Sequence, residues 1–167
     1  MQRNSLLGVT RVAVISALLV VSATALISTA TASSKTPAAG AIGVTERTVV
    51  MTYRAGDDIV RELLVRRTLT GTFSGSEVSV VHNVTHPDGS SDLKVLSSCT
   101  CTVEGRTGTV TFRERAAVDA AGIITVHRKV IDAAGDLAGL RAQLDVAAPI
   151  AAPTQPYTGS YQFGDGE

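Results

Sequence analysis

The chain has 167 residues, carries 15 basic against 15 acidic side chains, and is 44% hydrophobic with only 4% aromatic residues. Balanced charge with no basic block argues against nucleic acid as a partner, because phosphate binding needs a basic patch. The sequence contains no Gly-x-Ser-x-Gly elbow, no phosphate-binding loop and no dinucleotide fingerprint, so the common hydrolase, nucleotide and redox-cofactor classes are not in front and no cofactor is expected.

Arg3 and Arg11 precede an apolar run, Val12 to Ile27, and Ala30-Thr31-Ala32 offers a small-x-small cleavage site. This pattern predicts a secretory signal peptide over residues 1–32. The alternative is a retained N-terminal helix, serving as anchor or lid; if it is a lid, the protein is cytoplasmic. The run is short for a span of about 20 residues, so no stable membrane span is expected in the mature form. Removing it takes away two arginines and no acid, leaving 13 basic and 15 acidic residues and a secreted or cell-envelope location. Residues 33–44, rich in Ala and Gly, read as a flexible linker. One domain, 45–167, follows.

Two-residue alternation runs through that domain. Val49, Met51 and Tyr53 share a face of the first strand, and Ala55–Asp58 turns into a second from Ile59 to Thr70. Residues 72–77 make a break. Val78, Val80, His82 and Val84 then form the apolar face of a third strand, closed by the His86-Pro87-Asp88-Gly89 turn. Leu93, Val95, Ser97, Cys99, Cys101 and Val103 share a face of the fourth. Val110 and Phe112 lead a fifth strand to Val118, and Asp119–Gly122 connects to a sixth, 123–131. Residues 132–139 break the pattern with room for one helical turn. A seventh strand over 140–146, a proline-rich loop over 148–156 and a final strand over 157–163 complete the series. Eight short strands with regular turn signals predict an all-β fold, an eight-stranded antiparallel barrel preceded by the N-terminal hydrophobic helix.

Four phrases, RRTLTGTFSGSE at 66–77, THPDGSSDL at 85–93, VEGRTGTVTF at 103–112 and AAGDLAGLRA at 133–142, resemble in order and spacing a bacterial branch, mostly of unknown function, of the allene oxide cyclase-like barrels. The resemblance covers about residues 60–163. It implies a small antiparallel barrel holding a hydrophobic substrate and, in relatives such as plant allene oxide cyclases, dirigent proteins and spirotetronate cyclases, steering ring closure or coupling without metal or organic cofactor. Members of that branch often carry acidic residues in the segment matching 76–84. Here it reads SEVSVVHNV, and no catalytic carboxylate is assigned from it.

The candidate site residues follow from the strand faces. His82, on the Val78–Val84 face, is a candidate proton donor or acceptor. Glu114, on the face of Val110 and Phe112, is a candidate general acid or base whose pKa burial would raise, or else the partner of neighbouring arginines. Tyr53, Tyr157, Tyr161 and Phe112 are candidate walls of a ligand pocket, and His127 is expected to face solvent. His82 and His86 stand too far apart on a strand for one metal, so no metal site is expected. Cys99 and Cys101 lie on one side of one strand, about 6.6 Å apart at strand rise. The readings are, in falling order, buried fillers, a disulfide, which an oxidising compartment would permit, and a metal or redox pair, for which the sequence offers no second Cys/His cluster. The expected function is binding of a small hydrophobic molecule, with a cofactor-free cyclase or isomerase as its enzymatic version. An exported ligand-binding or structural envelope protein is the alternative, with a homo-oligomer compatible with either.

Overall fold

A computed structural model describes residues 34–164; the predicted signal peptide or lid lies outside them. These residues form eight antiparallel strands, β1 Thr36–Ala55, β2 Asp58–Gly71, β3 Ser74–Thr85, β4 Ser91–Val103, β5 Arg106–Val118, β6 Ile123–Gly135, β7 Leu140–Pro149 and β8 Thr154–Phe163. Each pairs with its neighbour in sequence and β8 pairs with β1, so the sheet closes into a barrel. The turns stand where Gly accepts a left-handed backbone, as at Gly56 and Gly89, which have φ of 66° and 87°.

Closure corrects the expected linker. Residues 36–43 are a strand, in register with β8 from Thr36 opposite Tyr161 to Gly43 opposite Thr154. Their small side chains permit close packing at the seam. A Cβ on Gly40 would lie 1.9 Å from the Thr70 carbonyl oxygen and 2.4 Å from the Tyr157 hydroxyl. The composition that suggests flexibility is what lets the ring close.

Beyond Gly43 the first strand leaves β8 and runs on with β2 alone. This β1–β2 ribbon, whose β2 side is also paired with β3, carries extra residues between Val44 and Glu46 and between Val49 and Met51. The second irregularity breaks the expected shared face. Val49 stays opposite the buried Leu63, whereas Met51 stands opposite Glu62 and Tyr53 opposite Val60, on the other face. The break between β6 and β7 also differs from expectation. Strand β6 runs to Gly135, and residues 136–139 form tight turns closed by Ala138 N–H to Gly135 O and Leu140 N–H to Leu137 O, with no helical turn.

One end of the barrel is plugged. Phe73 is the hub, with ring centroids 5.8 Å from Phe112, 6.4 Å from Tyr157 and 6.2 Å from Tyr161, all edge to face. Leu137, from the β6–β7 connection, is fully buried in the same cluster, as are Val103, Cys99 and Cys101. The cysteines form a disulfide, with Cα atoms 5.4 Å apart, closer than an ideal strand allows. The loop it closes is so short that its effect on the unfolded chain is small. Tyr157 fastens the plug to the wall: its hydroxyl accepts from Phe73 N–H at 2.9 Å and donates to Thr70 O at 3.1 Å. Tyr157→Phe leaves the buried Phe73 N–H without this partner. It should lower unfolding free energy by about 1–3 kcal/mol, read as a lower urea midpoint at unchanged m-value; an unchanged midpoint would contradict the role given to the hydroxyl.

Candidate functional site

Above the plug the interior turns from apolar to ionic. Strand alternation points Arg67 of β2, Glu77 and Ser79 of β3, Ser97 of β4, Glu114 of β5 and Arg128 of β6 toward the barrel axis. Glu77, Ser79, Ser97, Glu114 and Arg128 are all buried, and the Arg67 side chain is 14% exposed. Arg67 Nη1 bridges the two acids, 3.1 Å from Glu77 and 3.1 Å from Glu114. Arg128 donates from Nη2 to Glu77 and brings Nε to 3.1 Å from Glu114. Ser79 and Ser97 donate to Glu77 and Glu114 at 3.2 and 2.9 Å. The Arg128 guanidinium also lies 4.3 Å over the Phe112 ring, which couples the ionic belt to the plug.

Two positive and two negative groups neutralise one another in this dry setting, where a lone charge would be costly. Burial alone would push the Glu114 pKa up. Attraction by Arg128 and Arg67, with hydrogen bonds from Ser97 and Arg67, outweighs it and holds the carboxyl below its ordinary range. Glu114 is therefore a fixed anion, not the raised-pKa acid expected for catalysis. For Arg67, burial works against the charge, but Glu114 and Glu77 more than compensate and the guanidinium pKa is raised.

His82 lies elsewhere. On β3 the buried alternation is Glu77, Ser79 and Val81, while Val78 and Val80 are exposed. His82 shares their outer face, and its Nδ1 is 2.6 Å from Glu62 on β2. It has no access to the interior. Of the expected pocket walls, Phe112, Tyr157 and Tyr161 are buried in the plug and Tyr53 is 45% exposed on the ribbon. They do not meet around a cavity. His127 is solvent-facing as expected, paired to Asp145 at 2.6 Å.

Open space inside the barrel lies at the end opposite the plug. A cavity of about 90 Å³ is walled by Leu63, Val65 and Val81 on one side and Ile124 and Ile150 on the other, with Leu93 between. Arg67 of the ionic belt reaches it, and Arg47, Asn83 and Gln155 add polar groups. The Asn83 Oδ1 atom is buried with no hydrogen-bond partner among the described residues. The turns around this end are tied together: Ile150 N–H donates to Gly122 O, and His86 bridges Asp58 at 3.0 Å and Asp92 at 3.2 Å. Among the described residues no group of three or more His, Cys, Asp or Glu side chains is placed to hold a metal ion.

The sequence matches no protein-family model and no curated protein. Among solved structures it is similar to a protein of unknown function from the DUF3224 family of Shewanella oneidensis MR-1, with a TM-score of 0.67 and 17% identity over 79% of this chain and 100% of that one. A likeness at this identity concerns the fold.

Two outcomes follow from the charge geometry. Glu114→Gln leaves Arg67 and Arg128 short of one counter-charge and should cost about 3–5 kcal/mol in denaturant unfolding. Because the folded carboxyl titrates below its unfolded value, its contribution is present above the ordinary carboxylate range and disappears as pH falls through the folded value. The acid limb of the stability curve should therefore flatten in this variant. His86 behaves in the opposite sense: the hydrogen bonds it donates to Asp58 and then to Asp92 raise its pKa above 6.5. The contact it provides at the tip of the β1–β2 hairpin is complete below pH 6.5 and lost as pH rises through the raised value. An NMR titration should give a His86 midpoint above 6.5 that drops in both Asp58→Asn and Asp92→Asn; a midpoint indifferent to both would refute the bridge.

Proposed function

We propose that this protein is a non-catalytic binding barrel that takes the aliphatic end of a small amphiphile into the cup at its open end. The observation that carries this reading is the cavity of about 90 Å³ with apolar walls and guanidinium groups within it. An apolar cavity of about 150 Å³ accommodates benzene, so this one suits a smaller group, on the order of four or five carbons. The polar head of such a ligand, a carboxylate, would sit toward Arg47, with Asn83 supplying a further polar contact. The large greasy chamber expected for a cyclase substrate has no counterpart in a barrel whose other half is filled by Phe73, Phe112, Tyr157, Tyr161 and Leu137. The two residues expected to carry cyclase chemistry also lack the positions for it, since His82 is outside and Glu114 is locked between arginines. The disulfide at Cys99 and Cys101 favours an oxidising location and supports the exported form of the reading.

The test is titration of isotope-labelled protein with 3-methylbutanoate, 3-methylbutanol and dodecanoate. The branched acid should bind saturably and shift the Leu63, Val81 and Leu93 methyl resonances. The alcohol should bind roughly tenfold more weakly, for loss of a charge-assisted hydrogen bond of about 1.5 kcal/mol. Val81→Trp and Leu93→Phe, each checked for an intact fold by its methyl spectrum, should abolish binding. Absence of saturable binding by the branched acid, or binding that survives both fillings of the cup, overturns the proposal.

A further inference from the structure

The ring of strand ladders has a seam between β6 and β7. These strands pair from Ile123 opposite Pro149 to Lys129 opposite Gln143, and there the pairing ends. Strand β6 nevertheless continues to Gly135, held by β5, and β7 starts at Leu140, held by β8. The cause lies in the connection. Leu137 is drawn under the barrel into the plug, where its Cβ comes 3.2 Å from the ideal Cβ position at Gly108, and Asp136 N–H donates to Thr107 O at 3.1 Å. A hairpin that tucks its tip under the barrel cannot also zip up along its sides. An irregular register at Thr111–Phe112 opposite Val130–Asp132 accompanies the separation.

The parted strands leave a groove of about 600 Å³, far larger than the interior cup, running from Lys129–Ala133 on one side to Gly139–Gln143 on the other. Two features of this groove specify an occupant. Its sides are strand edges that do not pair with each other, so their backbone groups present the hydrogen-bonding pattern that an added strand reads. Its charged lining is Lys35, Lys129 and Arg141 against Asp132, an excess of positive charge. Moreover, Lys129 stands directly opposite Arg113 on β5, a like-charge juxtaposition that costs stability and that an anion would relieve.

We propose that the seam between β6 and β7 is a docking site for an extended acidic peptide segment, bound as an added strand with its carboxylates on Lys129 and Arg141. The peptide backbone fills the missing ladder, and alternate side chains project outward toward the cations. This surface is independent of the interior cup, and it gives the barrel a way to hold a protein partner while the cup remains open.

The test is fluorescence anisotropy with a labelled probe peptide, acetyl-Asp-Val-Glu-Val-Asp-amide, and two analogues: one with Lys in place of every acid and one N-methylated at both valines. The acidic probe should bind saturably, with affinity falling at least tenfold on Lys129→Glu with Arg141→Glu. The basic analogue should not bind, and N-methylation should weaken binding at least tenfold. Val81→Trp, which fills the cup, should leave binding unchanged. Free succinate at millimolar concentration should compete poorly. The proposal is overturned if the acidic probe does not bind, if the charge-reversed variant binds it equally, or if the N-methylated peptide binds as well as the parent. It is also overturned if succinate competes as effectively as the peptide, since the groove would then be reading charge alone.

Discussion

The constraint on which this barrel depends is charge neutrality inside its wall. Arg67, Glu77, Glu114 and Arg128 come from four different strands and converge where water is largely excluded. None of them is tolerable there without the others. The belt therefore fixes the register of β2, β3, β5 and β6 at once: a one-residue slip of any of these strands would turn its charged member out to solvent and strand the remaining three. It also divides the interior. Below it, aromatic rings and the disulfide fill the space completely; above it, small aliphatic side chains leave a cup whose floor includes a guanidinium.

Most of the architecture is legible from alternation and turn chemistry. The eight strands and the turns at 55–58, 86–89 and 119–122 all emerge from period-two patterning and Gly or Pro placement. The inner face of β4, from Leu93 to Val103, is legible because Ser97 is its only polar side chain. The faces of β3 are not, because both carry valines. Hydrophobicity alone selects Val78 and Val80 as the buried set and brings His82 inward with them. The side that does face the axis carries Glu77 and Ser79, whose burial is stable only because Arg67 and Arg128 arrive from elsewhere in the chain. A local pattern cannot register a partner 51 residues away. The same limit hides Phe73 as the hub of the plug. It follows Gly71-Thr72 in a stretch that reads as a turn, yet it is completely buried.

Two further misreadings share a physical origin. Residues 36–43 look like a linker because their side chains are small, but small side chains are also what two closely apposed strands and a covering tyrosine ring require. Met51 and Tyr53 look like partners of Val49 because alternation is assumed unbroken, yet one extra residue at Val50 reverses the phase for the rest of the ribbon. In each case the composition is compatible with two structures, and a contact distant in sequence selects between them. Glu114 is the intermediate case: pairing with neighbouring arginines is legible as one of two options, and the choice is made by Arg128, a residue that the strand pattern does not single out.

The plug and the seam are two consequences of one choice. Sealing the far end of the barrel requires an apolar side chain beneath Phe112 and Val110, and the β6–β7 connection supplies it in Leu137. Placing Leu137 there takes the connection away from the plane of the sheet, and the last residues of β6 lose their partner in β7. A shorter hairpin would have zipped the seam and left the barrel floor open. The price of a dry floor is thus a parted wall, and the charged residues lining that gap are mostly cationic, Lys35, Lys129 and Arg141 against Asp132, whereas across the β4–β5 face Thr102 and Thr107 simply bond each other at 3.2 Å. Unpaired strand edges invite association wherever they occur. Here the cations beside them restrict which chains can accept the invitation, because a basic or strongly apolar strand would gain the backbone bonds while leaving Lys129 and Arg141 uncompensated.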